Sequence, residues 1–151
     1  MIRKARISDA ENISKIMLND LINPNPNFTE RMIKKFREHA QIGSIKKEFE
    51  NSDIIILVFE EDNKILGFVV GYKENKVAFL HYVSGLTKNI KLKLIKSFEK
   101  KCKYLKLKEI KTDTFEFMEN KHIFEKADYK FFKSEDIKPK LKMLWYKKRI
   151  R

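Results

Sequence analysis

The sequence predicts an α+β domain: one central sheet of about seven mostly antiparallel strands flanked by about four helices, with residues 1–151 forming a single unit. Three observations carry this expectation. The chain has 151 residues, 42% of them hydrophobic, which suits one domain with a buried core. The hydrophobic period is helical before residue 50, alternates from Ile54 to about Val83, and becomes helical again after Gly85. No internal repeat or linker-like stretch divides these regions.

Residues 2–7 read as a short strand, after which Ser8-Asp9-Ala10-Glu11 offers Ser8 as a helix cap and Glu11 as its reciprocal partner. The first helix carries Ile13, Ile16, Met17 and Leu21 on one face and is stopped by Asn23-Pro24-Asn25-Pro26-Asn27. Thr29 caps a second helical stretch bearing Met32, Ile33, Phe36 and Ala40. Gly43 and Ser44 interrupt that stretch before Ile45 and Phe49 resume it. Residues 54–59, 65–73 and 77–83 then form a three-stranded meander. In its middle strand Leu66, Phe68, Val70 and Tyr72 share a face, while Gly67 and Gly71 leave the other face open to a close neighbour. A lysine-covered helix follows, with Ile90, Leu94, Ile95, Phe98, Cys102 and Leu105 as its apolar stripe. Residues 107–115 read as a strand, 119–127 as a short helix, and 129–133 and 141–147 as two closing strands.

Composition narrows the function classes. The formal net charge is +13, and it is unevenly placed: residues 1–85 hold 13 basic against 12 acidic side chains, residues 86–151 hold 21 against 9. Of the 34 basic residues 28 are lysine, which a compositional bias toward Lys and Ile would produce, but such a bias would load both parts alike. An anionic partner therefore stays open beside the bias. The single cysteine, Cys102, excludes an internal disulfide, and His39, His81 and His122 have no zinc-ligand spacing. The charged start and the short longest apolar run, residues 54–59, predict a soluble, cytoplasmic protein with no membrane partner. Phe115 with Phe117 and Phe131 with Phe132 invite comparison with base-stacking platforms, yet no nucleic-acid-binding motif accompanies them, so they read as core.

Three segments, residues 2–11, Ile65-Leu66-Gly67-Phe68-Val69-Val70-Gly71 and residues 120–129, together resemble the GNAT family of acyl-CoA-dependent N-acyltransferases. Ile2-Arg3-Lys4-Ala5-Arg6-Ile7-Ser8-Asp9-Ala10-Glu11 is similar to that family's first strand and capped first helix. Ile65-Leu66-Gly67-Phe68-Val69-Val70-Gly71 is similar to its third strand, and residues 120–129, Asn120 to Tyr129, to its N-x-x-x-x-x-Y-E-K-x-G-F segment. The resemblance implies acetyl-CoA as acyl donor, an amine acceptor as partner and direct attack in a ternary complex; a homodimer is compatible with it. It also implies a bulged, splayed fourth strand around Tyr82 and Val83, followed by a phosphate-binding loop at Thr87, Lys88, Asn89, Ile90 and Lys91, with Asn120 beside the bound donor. Three features depart from the family pattern. Thr87, Asn89 and Lys91 stand where it has glycine, Leu86 where it has Arg or Gln, and Phe124 at the tyrosine that serves as general acid.

Backbone amides at a helix start bind phosphate without a particular side chain, so these substitutions leave two outcomes open. In the first, the loop still holds the donor, Lys88 and Lys91 add charge, and His81, two residues before Val83, is the candidate base. Tyr82 or Tyr129 would stand in as the acid. In the second, the fold persists as an inactive binding module that uses its lysine-rich second part on nucleic acid or an acidic partner.

Overall fold

The computed structural model describes residues 1–138 and 141–151. Its first strand, β1 (Ile2–Lys4), is pinned by one side chain. Arg3 donates two hydrogen bonds to the Asp9 carboxylate, at 2.8 and 3.0 Å, and a third to Glu60 at 2.9 Å. Those bonds, with the Arg6 amide donating to Asp9 at 2.7 Å, hold the Asp9 carboxyl below the usual aspartate range. This contribution to stability is complete above that ordinary range and is lost as the pH falls through the lowered value. Asp9, not Ser8, organises the entry into the first helix. A single 3-10 turn, Ile7–Asp9, precedes it, with Arg6 in the capping position.

α1 (Ala10–Asn19), α2 (Glu30–His39) and α3 (Ile42–Glu48) follow, so Gly43 and Ser44 lie inside α3 and the break falls earlier, at Ala40 and Gln41. The Thr29 cap is present, accepting from the Met32 amide at 3.2 Å. The meander is β2 (Ile54–Glu61), β3 (Lys64–Glu74) and β4 (Val77–Gly85). Asp62 and Asn63 both have positive φ, as a two-residue hairpin loop requires. α4 (Lys88–Tyr104), β5 (Glu109–Phe115), α5 (Asn120–Lys126), β6 (Lys130–Lys138) and β7 (Leu141–Arg149) complete the chain. Five helices thus flank the sheet. β6 runs five residues past its expected end because two register shifts let it keep pairing with β7.

The seven strands form one sheet in the order β1-β2-β3-β4-β5-β7-β6, antiparallel everywhere except between β4 and β5. Alternation along β2 to β4 divides the core in two. Ile56, Val58, Phe68 and Val70 pack under α1 and α3 with Ile13 and Ile45. Ile55, Leu57, Val69, Leu80 and Val83 pack under α4 with Leu94, Ile95, Phe98 and Cys102. Leu66 departs from its expected face. A bulge against Phe59 and Glu60 gives β3 an extra residue there, and Leu66 packs on the α4 side while Ile65 takes the other.

Gly67 and Gly71 face α4 and let it settle onto the sheet. A Cβ at Gly71 would lie 2.4 Å from the Phe98 ring and 2.5 Å from the Phe79 carbonyl oxygen. Gly71→Ala is therefore expected to cost about 1–3 kcal/mol in urea denaturation. Gly43→Ala, where nothing lies within 4 Å of the added carbon and the backbone is helical, is expected to gain up to about 1 kcal/mol.

Candidate functional site

β4 and β5 pair in parallel only from Val77 with Glu109 to Leu80 with Thr112. The Thr112 hydroxyl closes the last rung by donating to the Leu80 carbonyl at 2.9 Å. Immediately beyond it β4 carries an extra residue: Gly71 pairs with Leu80 and Val70 with Tyr82, which leaves His81 in the bulge. The bulge turns β4 away from β5, and a wedge opens between residues 81–85 of one strand and 113–115 of the other. On the wedge side the peptide groups of Tyr82, Val83 and Ser84 have no strand beside them, while on the other side β3 holds them in place.

The wedge leads to the start of α4. Thr87 caps this helix, its hydroxyl accepting from the Ile90 amide at 3.2 Å, and Ile90 is buried beneath Gly85 and Gly67. The amides of Lys88 and Asn89 are left for an outside acceptor, at the positive end of the helix dipole. Leu86, Thr87, Lys88 and Asn89 are exposed, and Lys91 is half-buried. Across the opening stands the first turn of α5. Lys88 pairs with Glu119 at 2.6 Å, and the Lys91 ammonium donates to the Asn120 side-chain oxygen at 3.3 Å. All the loop residues singled out in the sequence, with Asn120, thus gather at one mouth.

On the opposite face of the sheet, three carboxylates missed in the sequence approach the same bulge. Asp20, which closes α1, accepts from the Tyr82 hydroxyl at 2.5 Å and from the Ser84 hydroxyl at 2.8 Å. Burial and the Asp20 charge push the Tyr82 phenol well above its ordinary pKa, so it stays protonated. Burial raises the Glu48 and Asp113 carboxyls, and in both cases the nearby His81 opposes that rise. His81 itself is exposed, and with His39, Glu48 and Tyr82 it lines a cavity of about 80 Å³ beneath α1 and α2. Phe28, from the loop between α1 and α2, packs edge-on against Phe115 and Phe117, with ring centroids 5.5 and 5.1 Å apart. Asp20 and Glu48 sit on helices far from β4 in sequence, so no local spacing signalled them.

The proposed stand-ins for the acid are committed elsewhere. Tyr129 is buried and donates to Glu99 at 3.2 Å, and Tyr82 is engaged by Asp20 on the face away from α4. Phe124 is 2% exposed and packs among Tyr129 and Tyr146, a purely apolar contact where the family tyrosine would stand.

No protein-family model matches the sequence, and no curated protein matches it. Solved structures do share its shape. A protein from Desulfovibrio desulfuricans described as an acetyltransferase of the GNAT family superposes with a TM-score of 0.80 at 9% identity, covering 100% of this chain and 99% of its own. An N-acetyltransferase from Staphylococcus aureus Mu50 gives 0.80 at 18% identity, covering 100% and 98%. PaiA N-acetyltransferase from Thermoplasma acidophilum, in complex with coenzyme A, gives 0.74 at 20% identity, covering 98% of each. The chain has the GNAT fold.

The Glu119 carboxylate is exposed and sits at the mouth where a phosphate would compete for Lys88. Glu119→Gln is expected to tighten coenzyme A binding about two- to fivefold, as read by calorimetry, and the gain should shrink as salt is added.

Proposed function

We propose that this protein is an N-acetyltransferase that moves an acetyl group from acetyl-CoA to the amine of an acceptor. The observation that carries the reading is the wedge between β4 and β5, opening beside the unfilled amides of α4. Shape and charge fit the donor: a slot lined by unpaired peptide groups suits an amide-bearing pantetheine arm, and a helix start with two lysines suits a diphosphate. Bound acetyl-CoA would supply an activated thioester.

The chain's own residues would do the rest. The main chain of Tyr82 and Val83 would orient and polarise the acyl carbonyl, because β3 holds these peptides rigidly while leaving one side free. Thr87, Lys88, Asn89, Ile90 and Lys91 would hold the phosphates, the helix amides binding and the two ammonium groups adding charge. Asn120, already oriented by Lys91, would meet the pantetheine arm. The acceptor would enter from the other face, past Phe28, with its amine beside the bulge. There His81 would take the proton released as nitrogen attacks, directly or through one water. Glu48 and Asp113 stand near that imidazole, their own carboxyls raised by burial. No buried acid is available to the leaving thiolate at Phe124, so its proton would come from solvent at the open mouth of the wedge.

The inactive-module alternative, which rests on the missing glycines and on Phe124, is not favoured by the likeness to acetyltransferases. Calorimetry with acetyl-CoA tests the reading directly, with saturable one-to-one binding expected and its absence contradicting the proposal. In a screen of amine acceptors with thiol release as readout, His81→Gln is expected to lower kcat by about a hundredfold or more while leaving acetyl-CoA affinity unchanged. Equal loss of affinity would make His81 a structural residue instead.

A further inference from the structure

We propose that a cleft on the α4 face of the sheet, remote from the wedge, binds an aliphatic chain that carries an anionic head group. The cleft exists because the sheet is wider than the helix laid on it. α4 packs over β2, β3 and β4, whereas β1 adds a further strand beyond β2 that α4 does not cover. The step so formed encloses about 510 Å³, within the size range of small-molecule sites. Its floor is aliphatic, with Ile2 from β1, Ile55 and Leu57 from β2 and Leu105 at the end of α4, and Ser97 of α4 lies on its side. No aromatic ring lines it, so it offers nothing on which a nucleobase would stack.

Its rim is cationic. Lys4 shares the face of its register partner Leu57 and so stands on the cleft side of β1, opposite Lys100 and Lys101 on α4. Among the described residues none of these three ammonium groups has a carboxylate within ion-pair distance, although six other lysines do. Asp53 is the only acid on the lining, and it already faces Lys73 at 3.9 Å. The C-terminal end of a helix ordinarily repels an anion, but here three of its last four carbonyls are taken. Lys101, Cys102 and Lys103 accept from the amides of Leu105, Leu107 and Lys106, each at 3.0 Å. Lys101 lies over the Tyr104 ring, which leaves it free of any carboxylate, and an apolar trough with cations at its edge that lack acidic partners matches one chemistry: hydrocarbon below and a carboxylate or phosphate above. The inference does not depend on acetyl transfer. The two sites lie toward opposite ends of α4, a helix about 25 Å long by its 17 residues.

The test is calorimetric titration of the full chain with decanoate and with decyl phosphate, below their micellar concentrations, in the presence and absence of acetyl-CoA. Decanol and inorganic phosphate serve as controls for either half of the ligand. Saturable binding at one site is expected, undiminished by acetyl-CoA and at least about tenfold weaker for both controls; binding of only one amphiphile would name the head group. Lys4→Ala combined with Lys100→Ala should weaken it about tenfold, with steep salt sensitivity lost. Ser97→Trp, which fills the trough and leaves every charge in place, should abolish it. Circular dichroism and an unchanged Tm would establish that both variants are folded, and the lysine pair, lying at the surface, carries the test if Ser97→Trp is not. Absence of saturable binding, binding indifferent to the lysine pair, or displacement by acetyl-CoA would overturn the proposal.

Discussion

The separation of β4 from β5 after Leu80 and Thr112 is the constraint on which the rest of the molecule turns. A parallel pair inside a sheet normally satisfies both of its inner edges, and leaving several peptide groups unpaired is costly unless water or a ligand meets them. Here the cost is localised and the geometry fixed from both sides. The Thr112 hydroxyl seals the apex, β3 backs one arm and β7 the other. The extra residue at His81 then does two things at once: it aims β4 away from β5 and puts an imidazole on the face toward α1.

The two faces of the sheet divide the labour that follows. On the α4 side the core is aliphatic and tightly set, with Gly67, Gly71 and Gly85 allowing the helix to come close enough that its first turn opens directly onto the wedge. On the α1 side the polar groups collect: Asp20 with Tyr82 and Ser84, and Glu48 and Asp113 around His81. Two half-buried carboxyls with raised pKa thus stand beside one imidazole.

Much of this was legible in the sequence because it is written in local periods. The meander followed from alternation over residues 54–83, α4 from its stripe of Ile90, Leu94, Ile95, Phe98 and Cys102, and the clustering of Thr87 to Lys91 with Asn120 from the resemblance. What escaped depends on register and on long-range contacts. The bulge that reverses Leu66, the role of Asp9 in place of Ser8, and the extension of β6 each follow from which partner a strand finds. Asp20 and Glu48 are ordinary exposed-helix residues by spacing, and only tertiary packing carries them to β4. The loop shows the reverse case. Its missing glycines left two outcomes open in the sequence, and only the structure shows Thr87 capping the helix over a buried Ile90 with Thr87, Lys88 and Asn89 exposed.

Hydrogen–deuterium exchange with and without acetyl-CoA tests the central claim most directly. Slowed exchange confined to residues 82–84 and 88–89, with α1 to α3 unchanged, is the result this account requires. Unaltered exchange across those amides, or protection appearing at some other part of the sheet, would show that the wedge is a structural gap and not a donor site.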